Sequence, residues 1–465
     1  MSSLFAALGT SANALDVLEQ AMSVVQNNVA NAQTPGYVTQ TLQLSAALFD
    51  PAHGSAGGVR AGNIQSARNN FAENSVWSAN QQLGSATQQA TSLDALDKTF
   101  DVSGSNGIPG ALTTLYSAFS AWSSTPSSTT AQQQVINAAQ GVAQAINATA
   151  ASAETVRSQA RQQTQSVISQ INQLTSQIAS LNGQILSGGQ DDAGLQAQLY
   201  QNVESLSNLV DISVQPQSNG TVNVLLGGQV GLVTGTSPQA ISVKATPAQA
   251  IFDSNGSDIT EKVHAGQLGG LLQITNNVIP SLLGDATQQG SLNQLAQGIA
   301  DRVNTLLQNG QTSSGASGTP LFQYTAGTPT TVAQTLGVAS GITGSQLAAV
   351  DPGPPSVANG IADKLAQLQH PTSAADMING QSYTDFYSTI ASTVGNLASG
   401  AAQTQTSQTQ LLAQAQNARG QLSGVSLNAQ AAALLQYQNA YQASAQAFST
   451  IRNTISYLLQ TFQSL

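Results

Sequence analysis

The sequence predicts a mainly α-helical protein with a small antiparallel β portion, elongated and divided into several domains. Three observations carry this. Apolar residues recur at three- and four-residue steps along most of the chain, the period of helices buried on one side. The period shortens to two near residues 210–233, around an Asn-Gly pair that marks a hairpin. The 465 residues also exceed the ~250–300 at which a single hydrophobic core stops growing.

At the N-terminus Leu4, Leu8, Leu15, Leu18, Met22, Val25 and Val29 form one stripe, interrupted by Ser11, and predict a helix over 3–30. Pro35 and Gly36, inside the run from Asn31 to Tyr37, stop that helix and turn the chain. Residues 38–48 alternate loosely and read as short extended segments. Between 64 and 100 the sequence is rich in Gln, Asn and Ala, with sparse anchors such as Phe71, Trp77 and Leu96; an interrupted helix is expected there. A helix over 110–123 is followed by a long one, from after Pro126 to about residue 186, whose narrow apolar face runs from Val135 to Ile185.

After Gly188-Gly189 comes a helix over 193–209. Val210, Ile212 and Val214 then alternate, Asn219-Gly220 turns the chain, and Val222, Val224 and Leu226 alternate again before a strand at 230–233. Further short strands are expected at 241–244 and 250–252, and a helix over 270–307. Residues 310–356 read as a loose insert of Gly, Ser, Thr and Pro clusters. Helices return at 357–368 and 382–419, and a break at Gly420 to Gly424 leads into the last. There Leu427, Leu434, Tyr441, Phe448, Ile455 and Phe462 fall every seven residues, with Tyr437, Ile451, Leu458 and Leu465 in a companion row. The expected division is a terminal helix and turn (1–45), a helical body in two parts (46–210 and 357–424), a small sheet with its following helix (211–309), an outward insert (310–356) and a C-terminal helix (425–465).

An isolated helix of this length gains most of its stability only when its apolar seam is covered. The two end stripes are therefore expected to pair as a coiled coil in the assembled protein, around a long helical bundle.

Only 7% of residues are charged, and 11 Lys and Arg stand against 21 Asp and Glu. That balance leaves little capacity to neutralise phosphates, so nucleic acid is not an expected partner. No cysteine is present, which excludes disulfides. Neither a basic start with a sustained apolar leader nor a run of ~20 apolar residues occurs, so a conventional signal peptide and a membrane span are not expected.

Catalytic, cofactor and metal sites are likewise not expected. His53, His264 and His370 lie far apart outside any ligand spacing. Asp191-Asp192 reads as a helix start, and Asp94 and Asp97 beside Lys98 as a solvated face. Gly227-Gly228 and Gly269-Gly270 read as turns, and Trp77 and Trp122 as packing residues.

The run Asn27-Asn28-Val29-Ala30-Asn31-Ala32-Gln33-Thr34-Pro35-Gly36-Tyr37 resembles the terminal motif of the axial proteins of the bacterial flagellum, the rod, hook and hook-associated proteins. Ser423-Gly424-Val425-Ser426-Leu427-Asn428, followed by Ala431 to Ala445, resembles the matching C-terminal motif. Residues 209–214, 219–224 and 266–272 are similar to the hook-associated branch. The chain departs from the usual acidic pair after Leu427, having Asn428-Ala429-Gln430.

The resemblance implies a non-enzymatic junction between hook and filament: a ring of subunits, each monomeric in solution, with terminal helices toward the inner tube. Implied partners are further copies, the hook protein, a second junction protein and a dedicated export chaperone at the C-terminal region. It also implies export, unfolded, through the flagellar type III apparatus to the extracellular flagellum without a cleaved leader. The implied assembly residues are Leu8, Leu15, Leu18, Met22, Val25 and Val29 of the first stripe and Leu427, Leu434, Tyr437, Tyr441, Phe448, Ile451, Ile455, Leu458 and Phe462 of the last, and the implied turn residues are Asn28, Asn31, Pro35, Gly36 and Tyr37. A secreted adhesin, or an axial or tip protein without a junction role, is the alternative.

Overall fold

The computed structural model describes residues 2–50, 55–100, 107–189, 192–245, 248–327 and 331–463. In chain order these form α1 (Ser2–Ala30), β1 (Gln40–Ala46), β2 (Phe49–Asp50), β3 (Ser55–Ala56), β4 (Val59–Ser66), α2 (Asn70–Asp97), α3 (Gly107–Ser124), α4 (Thr129–Gln184) and α5 (Ala193–Leu209). Strands β5 (Ile212–Pro216), β6 (Val222–Leu226), β7 (Val230–Thr234), β8 (Ser237–Pro238), β9 (Ser242–Ala245) and β10 (Gln249–Phe252) follow. Next come α6 (Gly266–Gln273), α7 (Ile279–Leu283), α8 (Ser291–Gln308), β11 (Phe322–Gln323), α9 (Val332–Thr335), β12 (Gly337–Val338), α10 (Gly360–Ala366), α11 (Tyr383–Ser423) and α12 (Leu427–Gln463). The fold is thus mainly helical with small antiparallel sheets.

The chain forms two compact units, one from residues 1–81, 171–240 and 409–465, the other from 82–170 and 241–408. In the first unit α1 packs along α12 and also against the β1–β4 hairpin, whose register runs from Gln40 opposite Ser66 to Ala46 opposite Val59. The four-stranded sheet has the order β5-β6-β7-β8, all antiparallel. Asn182, fully buried near the end of α4, fixes that sheet: its Nδ2 donates to the carbonyls of Val222 (2.8 Å) and Gly235 (2.6 Å), and its Oδ1 accepts from the Val222 N–H (3.1 Å).

In the second unit Leu112, Leu115, Phe119 and Trp122 of α3 are fully buried, and α3 packs on α10. The Trp122 indole N–H donates to the Pro126 carbonyl (3.2 Å). Within 310–356, read from its composition as loose, residues 321 and 322 are seated on α8. Asn304 donates to the Phe322 carbonyl (2.8 Å) and accepts from the N–H groups of Leu321 (2.8 Å) and Phe322 (2.9 Å), and both of those side chains are buried.

Two helix expectations change. α2 is one uninterrupted helix of 28 residues, because Ala72, Ala86 and Ala90 continue the buried face between the large anchors and are themselves strong helix formers. The helix expected over 270–307 is broken between α7 and α8. Gly284 and Gly290 take φ of 80° and 78°, and a Cβ on Gly290 would stand 2.2 Å from the Gly284 nitrogen, a close backbone approach only glycine permits.

Candidate functional site

The two motif runs from opposite ends of the chain meet in the first unit. Asn28, in the last turn of α1, is 1% exposed, yet every polar site on its side chain is used. Its Nδ2 donates to the Gln40 carbonyl (2.8 Å) and to Oε1 of Gln430 (3.1 Å). Its Oδ1 accepts from the Gln40 N–H and the Tyr37 hydroxyl, both at 2.9 Å. One carboxamide therefore joins α1, the following turn, β1 and α12, and no buried polar atom of Asn28 is left unpaired. Gln430, at the place of the departure from the acidic pattern, is 8% exposed. Its amide oxygen supplies the acceptor without bringing a carboxylate into that buried position.

A second set of bonds lies beside the first. The Thr39 N–H donates to the Ser423 carbonyl (3.0 Å) and the Thr39 hydroxyl to the Gly424 carbonyl (2.8 Å), while the Ser423 hydroxyl accepts from the Asn69 N–H (3.2 Å). These bonds satisfy carbonyls at the C-terminal end of α11 that have no intrahelical partner.

The turn itself is closed by the Thr34 N–H on the Asn31 carbonyl (2.9 Å) and the Tyr37 N–H on the Thr34 carbonyl (3.1 Å). The Thr34 hydroxyl donates to Asn31 Oδ1 (3.1 Å). Pro35 is exposed. Gly36 has φ of 76°, and a Cβ there would stand 2.5 Å from the Ala197 carbonyl oxygen on α5. The Gly36 carbonyl accepts from Nη2 of Arg68 at 2.7 Å. Burial raises the Tyr37 phenol above its usual value, and its hydroxyl donates to Asn28.

Beneath the turn lies a chain of alternating charges. Arg68 Nη1 meets Glu73 Oε1 at 2.5 Å, Glu73 Oε2 meets Arg419 Nη1 at 3.1 Å, and the same Nη1 meets Glu204 Oε2 at 2.7 Å. The Arg68 guanidinium also lies 3.7 Å from the centre of the Tyr200 ring, which stacks on Trp77 with centroids 5.9 Å apart. The side chains of Glu73 and Arg68 are 1% and 8% exposed. Burial lowers the Arg68 pKa; burial acts in the same direction on Arg419, but bonds to Glu204 and Glu73 outweigh it and the net shift is upward. The sequence reading missed all five partners. The available signal was scarcity: with 11 basic residues in the chain, an Arg five places before a Glu at a helix start is worth tracing.

Above this knot α1 and α12 share a seam. On α1, Val25 is buried with Val17 and Ala21; Leu8, Leu15, Leu18 and Met22 are half-buried; Val29 is 44% exposed. The hydroxyl of Ser11, the interruption in the stripe, donates to the Ala7 carbonyl at 3.0 Å, so it asks nothing of its neighbours. On α12, Ile455 is buried, and Leu434, Tyr437, Tyr441, Phe448, Ile451 and Leu458 are half-buried. Leu427 is 51% exposed and stands outside the seam. Phe462 lies in α12, but its side chain and Leu465 fall outside the described residues. Covered positions thus recur every three or four residues from 430 to 458, as a heptad seam requires.

Elsewhere the candidate groups have local roles. Asp192 caps α5 by accepting from the N–H groups of Gly194 (2.8 Å) and Leu195 (3.1 Å). Asp94 pairs with Lys98 at 2.6 Å on an exposed face. His264 and His370 are exposed, and His53 and Asp191 lie outside the described residues. Trp77 and Trp122 are buried. Among the described residues no group of three or more metal-ligating side chains occurs, and no helix is long and apolar enough to cross a membrane.

Residues 93–322 match the family profile described as the flagellar hook-associated protein FlgK helical domain. The chain is 27% identical to flagellar hook-associated protein 1 of Bacillus subtilis over 96% of both chains. It is 26% identical to the protein of the same name from Salmonella typhimurium over 66% of this chain and 57% of the relative, so it spans little more than half the length of that protein. Its fold is similar to the solved structure of the flagellar hook junction protein FlgK from Burkholderia pseudomallei, with a TM-score of 0.65, 18% identity, and coverage of 74% of this chain and 99% of that one.

Proposed function

The chain belongs to the family of flagellar hook-associated protein 1, and on that premise we propose that it is a structural junction piece joining the flagellar hook to the filament. It is an extracellular component of the flagellar axis. It associates with its own copies and with hook and filament components, and the terminal helix pair is the element through which copies meet. The observation that carries this reading is the hydrogen bond from Asn28, in the N-terminal motif, to Gln430, within the C-terminal motif's departure from the acidic pattern, which sets the seam of α1 against that of α12. A surface adhesin would require neither motif.

Finer features belong to the same proposal. The copies form a ring, with the hook protein on one side and a second junction protein on the other. The chain travels unfolded through the flagellar type III apparatus without losing a leader. A dedicated chaperone holds the C-terminal region before assembly, which suits a helix that keeps Leu435, Tyr457 and Leu459 exposed at 61%, 70% and 43%, since exposed apolar surface invites aggregation.

Tyr441→Asp and Phe448→Asp test the reading. Each places a carboxylate in the half-covered seam and costs more than the lost ring contacts, because the charge must be desolvated when the seam closes. Both variants are expected to be secreted at the parental level, as export precedes folding, but to leave hooks without stable filaments. Parental junctions in both variants would refute the seam as the assembling element.

A further inference from the structure

The described parts of the paired helices carry three charged side chains: Asp16 and Glu19 on α1 and Arg452 on α12. All three are exposed, and none has a side-chain partner among the described residues. Asp16 and Glu19 are three residues apart and share a helix face. They line a cleft of about 730 Å³ whose other wall is the β1–β4 hairpin at Leu42, Gly62, Asn63 and Ile64.

Arg452 cannot close this cleft in its own chain. The Asn28–Gln430 bond sets the end of α1 beside the start of α12, so the two helices run antiparallel. At 1.5 Å per residue from that anchor, Arg452 lies ~15 Å beyond Asp16 and ~20 Å beyond Glu19 along the axis, far outside ion-pair reach. A charge left unpaired on a helix that becomes enclosed by neighbours is costly, and the three charges are complementary across that offset.

We infer that the cleft bearing Asp16 and Glu19 receives Arg452 of a second copy, so that neighbouring copies are offset along the helix axis by ~15–20 Å. This rests on the reading that the terminal helices make the contacts between copies, and it adds their register. Charge pairs at the edge of an interface act mainly on partner choice and alignment, by penalising every arrangement that brings like charges together. In a chain with 7% charged residues, few other groups can supply that discrimination. The rival occupant is Arg60, exposed on β4 in the same unit.

The experiment expresses full-length variants in cells lacking the resident copy and scores secreted protein and hooks bearing filaments. Arg452→Glu alone, and Asp16→Lys with Glu19→Lys, are each expected to keep secretion and reduce filament-bearing hooks by roughly tenfold, as a like-charge clash repeated at every contact would. Combining all three substitutions is expected to restore them, and Arg60→Glu is expected to have no effect. Parental assembly in Arg452→Glu, failure of the triple variant to recover, or an equal loss in Arg60→Glu would overturn the assignment. None of these outcomes touches the seam, which stands or falls with Tyr441→Asp and Phe448→Asp together.

Discussion

Glu73→Ala is expected to destabilise the unit formed by residues 1–81, 171–240 and 409–465 by about 3–5 kcal/mol, the scale of breaking a buried ion pair from one side. Glu73 is the link between Arg68 and Arg419. Without it the Arg68 guanidinium, 8% exposed, keeps the Gly36 carbonyl and the Tyr200 ring but has no counter-charge. Arg419 retains Glu204. The loss therefore falls on Arg68, and adding Arg68→Ala to Glu73→Ala is expected to cost less than the sum of the two single changes, because both remove the same interaction. Urea unfolding followed by tryptophan fluorescence in a Trp122→Phe background reads this, since Trp77 then is the one indole and stacks on the Tyr200 ring that Arg68 covers. Strict additivity would mean that the pair is not coupled.

Gly36→Ala is expected to cost about 3 kcal/mol or more, from two sources that act together. The φ of 76° penalises any residue bearing a Cβ by roughly 1–2 kcal/mol. The added methyl would also stand 2.5 Å from the Ala197 carbonyl oxygen, a backbone atom that moves only if α5 moves. Such a shift would also disturb Tyr200 on the same helix and, through it, the Arg68 site. The same unfolding measurement applies, and a change below about 1 kcal/mol would mean that the turn relaxes without disturbing α5.

The features legible from sequence were those written in hydrophobic period or turn chemistry. The stripes from Leu8 to Val25 and from Leu434 to Leu458 announced two seams, and Asn219-Gly220 announced the sheet that the structure contains. The continuity of α2 was not legible, because Ala86 and Ala90 fill a buried face without a strong apolar signal. The seating of Leu321 and Phe322 was not legible for a related reason: what holds their backbone is a polar side chain, Asn304, on another element. At the site, the residues of the turn were named, but what Asn28 does was not. Its partner Gln430 lies 402 residues away, and hydrogen bonds leave no period in a sequence. The charge chain was hidden for the same reason, since Arg419 and Glu73 are 346 residues apart.

A subunit-resolution map of the assembled hook–filament junction tests the central claim most directly. The expected map has α1 and α12 of each subunit antiparallel, the Asn28 side chain seated on Gln430 of the same chain, and Phe448 enclosed in the seam. A map in which the two terminal helices of one subunit lie apart, or in which Asn28 faces solvent, would contradict the account.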